Sequence, residues 1–552
     1  MSRWLPVLTL SLMTAVSGVP ARAQEATVPP VVAQPPPKPA DQRPARGTRA
    51  GADAQPAATA IAAPRDRRLP ADSVTRHTLT LPDRTLEFVA TAGRIVMENA
   101  NGVATGEIAY IAFTRPNADA RTRPVTFAIN GGPGSASAWL YIGGLGPWRL
   151  PMDKADISPS ALPELVPNAE TWLDFTDLVF IDPVGTGYSR PINEAAAPPA
   201  GVAATSSGNV TTLAAKTPFY SVDGDIDSLS TFIRRYLKQS NRLLSPKVLV
   251  GESYAGYRAP KIAAKLQADG GIGLNALVIV SPVLDFAWLN GSGTNPMAYL
   301  DTLPSFAAAA REAKAPITRK DLADVEAYTT GEFLADLMRG ERDTAAVKRI
   351  VDKVTALTGL DPALVKQRSG RIDSYTFMRE SRRGTNEIVS IYDSTVGALD
   401  PFPSSGFSRS EDSFSGALAA PATSAMLDMY QSKLKWTPEG DYHMLNRSVN
   451  NAWDYGPRGR SSHEAVSDLR RALALDQKLD VVIAHGLTDI ITPYFRSKLI
   501  IDQMPVLGDP ERLRLAVYPG GHMFYARAAS RIQFRKETAE TIERIVQART
   551  LK

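Results

Sequence analysis

Two kinds of apolar pattern follow one another along the chain. The first runs alternate apolar and polar residues, which is typical of antiparallel strands with one face in water: HTLTLP (77–82), LEFVATAGRIVM (86–97) and GEIAYIAFTR (106–115). Later runs are short and continuously apolar, which predicts strands buried on both faces: PVTFAIN (124–130), DLVFID (177–182), KVLVGE (247–252), ALVIVS (276–281) and LDVVIAHG (479–486).

Helical spacing separates several of the buried strands, for example in IDSLSTFIRRYLKQ at 226–239. This alternation predicts an α/β fold with a mostly parallel central sheet flanked by helices. Residues 285–442 show mainly helical spacing and no buried strand, and we interpret them as a helical cap inserted into a sheet domain of 71–284 and 443–552. The cap is expected above the carboxyl ends of the strands, where ligands bind in open α/β sheets.

The amino terminus has the pattern of an export signal. Arg3 supplies a positive charge, Leu5 to Val19 is apolar but too short to span a bilayer, and Ala21-Arg22-Ala23 resembles a cleavage site. We therefore predict a signal peptide over 1–23, a disordered Pro/Ala-rich tether over 24–70, and a periplasmic or secreted protein. The alternative for this segment is an amino-terminal anchor; no stable membrane span is expected elsewhere.

Composition narrows the chemistry. The 552 residues are 44% hydrophobic, and 62 basic residues nearly balance 57 acidic ones, so nothing indicates a nucleic acid partner. The chain has no cysteine, which excludes a cysteine nucleophile and thiolate metal sites. No metal-ligand cluster is visible, and the sequence implies no cofactor.

The segment GESYAG (251–256) lies between a predicted strand and a predicted helix. A serine between small residues at such a turn is typical of a nucleophile elbow, which presents its hydroxyl beside the free N–H groups of a helix N-terminus. Ser253 is thus the candidate nucleophile, and an ordinary strand-to-helix turn is the alternative.

A serine hydroxyl needs a base that a carboxylate orients, and α/β-hydrolases place these residues in the order Ser, Asp/Glu, His. Among five histidines, His522 lies in a Gly-rich loop after a strand-like run, and Asp489 follows the strand that ends in HG. These two are the candidate base and its partner. His485 is the rival base, but its place at the end of a strand favours a structural role.

The loop NGGPGSAS (130–137) follows a buried strand and is rich in glycine, so its backbone is able to approach a reacting atom. We expect an N–H group of this loop, together with the N–H group of Tyr254, to form an oxyanion hole for a tetrahedral intermediate.

Together these residues resemble the serine carboxypeptidase family. The resemblance rests on NGGPG (130–134), NAETWLDFTDLVFIDPVGTGYS (168–189), GESYAG (251–256), GLTDIITP (486–493) and GGHM (520–523). It implies an α/β-hydrolase fold, a triad of Ser253, Asp489 and His522, and release of C-terminal amino acids from peptides. It further implies that the N–H groups of Gly132 and Tyr254 form the oxyanion hole. It also implies that Asn130 and Glu252 help to bind the terminal carboxylate of the substrate. A carboxyl group holds a carboxylate only while the two share a proton, so such a site favours acid pH.

The chain departs from the family pattern at three positions: Gly144 stands in place of a second glutamate, Ala128 in place of a tryptophan and Ser135 in place of a cysteine. The absence of the glutamate and of the tryptophan weakens the expected binding of a terminal carboxylate. Three functions therefore stay open: a carboxypeptidase acting on peptides with a free C-terminus, an exported esterase or acyltransferase with the same triad, and a non-catalytic hydrolase-fold binding protein. The sequence does not fix the oligomeric state.

Overall fold

The computed structural model describes residues 68–152, 158–192, 217–289, 294–405 and 412–550. The predicted signal peptide and nearly all of the predicted tether lie outside these residues. Leu69, near the end of the predicted tether, is buried, and its N–H donates to Glu107 Oε2 at 2.8 Å. Residues 68–70 therefore belong to the folded domain.

The strands are short except near the amino end of the described chain. They are β1 Ser73–Thr80, β2 Thr85–Glu98, β3 Ala104–Thr114, β4 Val125–Ile129, β5 Trp148–Arg149, β6 Val166–Pro167, β7 Asp177–Ile181, β8 Arg190–Pro191, β9 Lys247–Glu252, β10 Ala276–Val280, β11 Glu387–Val389, β12 Gly397–Leu399, β13 Asp480–Gly486 and β14 Leu513–Tyr518.

The helices lie between and beyond these strands. They are α1 Ala138–Leu140, α2 Val222–Gln239, α3 Tyr254–Gly270, α4 Met297–Leu300, α5 Leu303–Glu312, α6 Ala323–Tyr328, α7 Leu334–Arg339, α8 Thr344–Thr358, α9 Pro362–Gln367, α10 Ser374–Glu380, α11 Ser413–Ser432, α12 Arg447–Ala452, α13 Val466–Leu475, α14 Tyr494–Asp502 and α15 Ala528–Thr550. None of the helices in the described chain combines the length and apolar character that crossing a bilayer requires.

One large sheet organises the fold, in the order β1-β2-β3-β7-β4-β9-β10-β13-β14, with β8 paired to β3. The pairs from β1 to β7 are antiparallel, and those from β7 to β14 are parallel. The predicted mostly parallel sheet with helices on its faces is confirmed. Every residue of β4, β7, β9 and β10 is buried, as continuous apolar runs predict.

The expected wet face is wrong for β3, which is buried along most of its length. The ring of Tyr110 packs against Phe232 and Tyr236 of α2, while Phe113 on the other face packs against Phe88 and Tyr141. Alternation of residue type did not reveal this, because a helix that follows more than 100 residues later covers the face that was expected to be wet.

The chain between β10 and β13 is largely helical but also contains the β11–β12 hairpin. Its apolar core includes Phe306 and Leu337, and this core continues into Ile490 in the loop after β13 and Tyr494 at the start of α14. The Ser374 hydroxyl also donates to the Ile490 carbonyl at 2.6 Å. The segment therefore packs on the carboxyl end of the sheet. The cap boundaries at 285 and 442 stay a prediction.

Candidate active site

The candidate residues follow four strands that lie in the parallel part of the sheet. Ser253 follows β9, Gly131 follows β4, Asp489 follows β13 and His522 follows β14. Because the carboxyl ends of parallel strands meet at one edge, residues separated by hundreds of positions lie on the same rim.

Ser253 forms the predicted strand-to-helix turn. Its backbone has φ 60° and ψ −120°, a conformation that costs a non-glycine residue about 1–3 kcal/mol. Gly251 and Gly256 make the turn possible, since a Cβ on Gly251 would overlap the Ala255 carbonyl and one on Gly256 would overlap Pro282. The serine is partly exposed, whereas Glu252 and Tyr254 on either side are buried.

Asp489 and His522 form a buried pair, with Asp489 Oδ2 2.8 Å from His522 Nδ1. Burial alone would raise the pKa of Asp489, but His522 and hydrogen bonds from Thr492 outweigh burial and hold the pKa below its ordinary value. Burial by itself would lower the pKa of His522; the charge and hydrogen bond of Asp489, followed by the charge of Glu252, raise it. The carboxylate thus stays ionised and orients the imidazole.

The segment after β10 connects this pair to the nucleophile turn. The Ser253 N–H donates to the Val280 carbonyl at 2.9 Å, and the neighbouring Ser281 hydroxyl donates to the His522 carbonyl at 2.8 Å. Thr492 Oγ1 lies 3.0 Å from the Ser281 carbonyl and 2.7 Å from Asp489 Oδ2. One segment therefore holds the loops of all three candidate triad residues.

His485, the rival base, lies in β13 and hydrogen-bonds Ser497 of α14 through Nε2 at 2.8 Å. Burial lowers its pKa to about 3, so it remains neutral at physiological pH. Asp489 pairs with His522 rather than with His485.

The glycine-rich loop lies directly on the nucleophile turn. A Cβ on Gly131 would come within 2.5 Å of the Tyr254 nitrogen, and Gly132 has φ +102°, in the region that favours glycine. Residues with side chains at these positions would push the loop away from Ser253. The loop that contains Gly132 therefore contacts the turn at Tyr254 through Gly131, and the oxyanion hole of Gly132 and Tyr254 stays a prediction.

Arg258, which the sequence analysis missed, fixes that loop. Its Nη1 donates to the Asn130 carbonyl at 2.8 Å, while Nε and Nη2 donate to Asp225 of α2 at 2.6 and 3.1 Å. The guanidinium also lies 4.7 Å from the centre of the Tyr254 ring, and Trp453 Nε1 donates to the Tyr254 hydroxyl at 3.1 Å. Arg258 is fully buried, but a sequence does not show which arginine will be buried or that its partner lies on another helix.

Glu252 lies beside the nucleophile and close enough to His522 for their charges to interact. Burial raises the pKa of Glu252 to about 7, although His522 and hydrogen bonds from Tyr525 and Asn130 oppose that rise. Tyr525 is the second residue that sequence reasoning missed, and its position three residues after His522 was the available signal.

The fold and this arrangement of a strained serine, a His–Asp pair and a glycine-rich loop define an α/β-hydrolase. Residues 99–517, more than half of the chain, match the serine carboxypeptidase family. The chain belongs to this family.

Two curated relatives match over part of their length. The pheromone-processing carboxypeptidase KEX1 of Yarrowia lipolytica is 30% identical over 166 residues, which are 30% of this chain and 22% of that protein. Serine carboxypeptidase-like 5 of Arabidopsis thaliana is 23% identical over 186 residues, which are 32% of this chain and 37% of that protein. The matches thus span about a fifth to just over a third of these relatives.

The crystal structure of the prohormone-processing carboxypeptidase Kex1 from Saccharomyces cerevisiae is similar in fold. It aligns with a TM-score of 0.52 and 16% identity over 83% of this chain and 91% of that one. At this identity the likeness supports the fold.

The contacts of Arg258 generate a test of how the glycine-rich loop is held. Arg258→Met removes the donor to Asn130 and leaves Asp225 buried without its partner, which we expect to lower the free energy of unfolding by about 3–5 kcal/mol. The reaction of Ser253 with a fluorophosphonate should slow roughly 10- to 100-fold, because the N–H donors move out of position. Urea unfolding measures the loss of stability, and the time course of fluorophosphonate labelling measures the loss of reactivity.

Arg242→Met is the matched control. Arg242 is also buried and ion-paired, to Asp177 at the opposite end of β7, and it binds the Pro124 carbonyl before β4. This variant should lose stability while folded protein keeps its labelling rate. Equal rate losses in both variants would contradict a specific role of Arg258 in positioning the loop.

Proposed function

We propose that this protein is a serine-type carboxypeptidase that releases C-terminal amino acids from peptides through an acyl-enzyme at Ser253. The observation that carries the proposal is the buried Asp489–His522 pair, held by the Ser281 segment beside the strained turn of Ser253. Membership of the serine carboxypeptidase family supports the same reaction.

In the first half of the reaction, the Ser253 oxygen attacks the carbonyl carbon of the last peptide bond, and His522 Nε2 takes the hydroxyl proton. The N–H groups of Gly132 and Tyr254 stabilise the oxyanion of the tetrahedral intermediate. His522 then gives its proton to the amide nitrogen, the C–N bond breaks, and the C-terminal amino acid leaves. Asp489 stabilises the imidazolium that forms in between.

In the second half, water attacks the ester carbon of the acyl-enzyme while His522 removes a proton from the water. The second tetrahedral intermediate collapses, the bond to Ser253 breaks, and His522 returns the proton to the serine oxygen. The shortened peptide is released with a new carboxyl group.

Recognition of a free C-terminus is assigned to Glu252 and Asn130. A protonated Glu252 donates a hydrogen bond to the terminal carboxylate, and because its pKa is raised to about 7 it retains that proton under mildly acidic conditions. The absence of a second carboxyl group at Gly144 is the observation that favours an esterase or acyltransferase with the same nucleophile as the second candidate.

Signal-like residues 1–23 support export, and we propose that the enzyme acts in the periplasm or outside the cell. Its substrates would then be peptides met outside the cytoplasm.

Ser253→Ala should abolish peptide release, since the remaining groups cannot form an acyl-enzyme, and a loss of roughly 10⁴-fold or more is expected. The free energy of unfolding should change by less than about 1 kcal/mol, because alanine is small and inherits the same backbone conformation. Mass spectrometry of a peptide digest and urea unfolding test both statements. A non-catalytic binding protein would give no peptide release and no fluorophosphonate adduct on the wild-type chain.

A matched pair of peptides, one with a free C-terminus and one amidated, separates the two catalytic candidates. A carboxypeptidase should lose most of its kcat/KM on the amide, whereas an esterase or acyltransferase should show little preference and should favour ester substrates.

Glu252→Gln should flatten the alkaline decline of kcat/KM for the free-acid peptide. In the wild type, Glu252 ionises as pH rises through about 7 and then repels the substrate carboxylate; glutamine keeps an N–H donor at every pH. The charges of Asp489 and His522 also influence Glu252, so only loss of the decline in Glu252→Gln assigns the decline to Glu252. An unchanged pH profile would remove Glu252 from carboxylate binding.

A further inference from the structure

Tyr525 fills a space that two consecutive glycines leave open. A Cβ on Gly143 would lie 2.6 Å from Tyr525 Cε2, and one on Gly144 would lie 3.3 Å from Cδ2. Arg531 packs on the same side and donates to the Tyr525 carbonyl at 3.0 Å, while its Nε binds Glu170. The Tyr525 ring is completely buried, so its position is fixed by packing on every side.

The hydroxyl of this buried ring points to the carboxyl group next to the nucleophile. Tyr525 Oη donates to Glu252 Oε2 at 2.5 Å. Burial and the neighbouring Glu252 raise the pKa of Tyr525 far above its ordinary value, so the phenol remains a donor throughout the working pH range.

Asn130 supplies a second donor whose orientation is also fixed. Its Oδ1 accepts the Leu140 N–H at 2.9 Å, which leaves the amide NH₂ group as the donor that lowers the pKa of Glu252. The hydrogen bond from Tyr525 orients the Glu252 carboxyl group, and both donors favour its ionised form.

On the basis of the proposed function, we propose that Tyr525 is a positioning residue that determines specificity: it holds the Glu252 carboxyl beside Ser253 and sets the pH above which a free peptide C-terminus is refused. Tyr525 packs beside Gly144, which has no side chain, so the carboxyl group of Glu252 and its single proton govern recognition.

Other groups around Glu252 set the background for this effect. His522 and Tyr525 face it from the loop after β14, Asp489 faces it from the loop after β13, and the uncharged Asn130 faces it from the loop after β4. The positive charge that forms on His522 favours ionisation of Glu252, while the charge on Asp489 opposes it. Removing the Tyr525 hydroxyl leaves all of these groups in place.

Tyr525→Phe tests the proposal, because it keeps the ring and removes only the donor. Glu252 should then stay protonated to higher pH, and the alkaline decline of kcat/KM on the free-acid peptide should move up by about one to two pH units, the effect of one hydrogen bond to an ionised group. KM should also rise at low pH, since the carboxyl group is less firmly oriented. The amidated peptide should show no such shift.

Tyr518→Phe is the matched control. Tyr518 is also buried and donates to a glutamate, Glu537 Oε2, at the same 2.5 Å. It is the last residue of β14, and its glutamate lies in α15 rather than next to Ser253. Both variants should lose similar stability in urea unfolding, and only Tyr525→Phe should shift the pH profile. If Tyr525 had only a structural role, both variants would keep the pH profile of the wild type.

The outcomes separate the two proposals. A wild-type enzyme that reacts with a fluorophosphonate but releases no amino acid at any pH overturns both. Peptide release with an alkaline decline that Tyr525→Phe leaves in place, or moves to lower pH, overturns the role of Tyr525 alone. A shift in Tyr525→Phe that is also present in Tyr518→Phe likewise overturns it.

Discussion

The buried guanidinium of Arg258 is the interaction on which the geometry of the site depends. It belongs to the helix that begins immediately after Ser253, yet it binds the carbonyl of Asn130 in the opposing loop and the carboxylate of Asp225 on α2. Taking a charge out of water is costly unless it is paired and fully hydrogen-bonded. Here the cost is offset by Asp225, and the arrangement fixes the glycine-rich loop against the turn of Ser253, the proposed nucleophile.

A second constraint is electrostatic. The proposed reaction needs a neutral imidazole on His522 and a protonated carboxyl on Glu252, although the charges of the two groups interact in a buried site. A neutral pair and an ion pair differ only in where one proton resides. Two donors to Glu252 favour the ionised form, and burial favours the neutral form. The range of pH in which the site is competent follows from this balance, and small changes in hydrogen bonding are able to move it.

The loop that carries His522 contributes both to the geometry of the site and to its electrostatics. Its backbone is fixed by the Ser281 hydroxyl and by the Tyr392 carbonyl, which accepts the His522 N–H at 2.5 Å. Three residues later, Tyr525 packs against Gly143 and Gly144 and reaches Glu252. The ring excludes a side chain at Gly143 and lies in close contact with Gly144, the position where the chain departs from the family pattern.

Much of the fold could be predicted from the sequence, because burial on both faces of a parallel strand requires continuous apolar runs, and β4, β7, β9, β10 and β13 show them. The turn at Ser253 and the proximity of Gly131 to it were also predictable, since only small residues fit a sharp strand-to-helix turn and a close backbone contact. The burial of both faces of β3, the anchoring by Arg258 and the place of Tyr525 were decided by tertiary structure alone. Each feature depends on a partner that is distant in the chain: α2 for β3, Asp225 for Arg258 and Gly143 for Tyr525. Local residue patterns carry no information about these contacts, because the contacts form only when remote segments pack together.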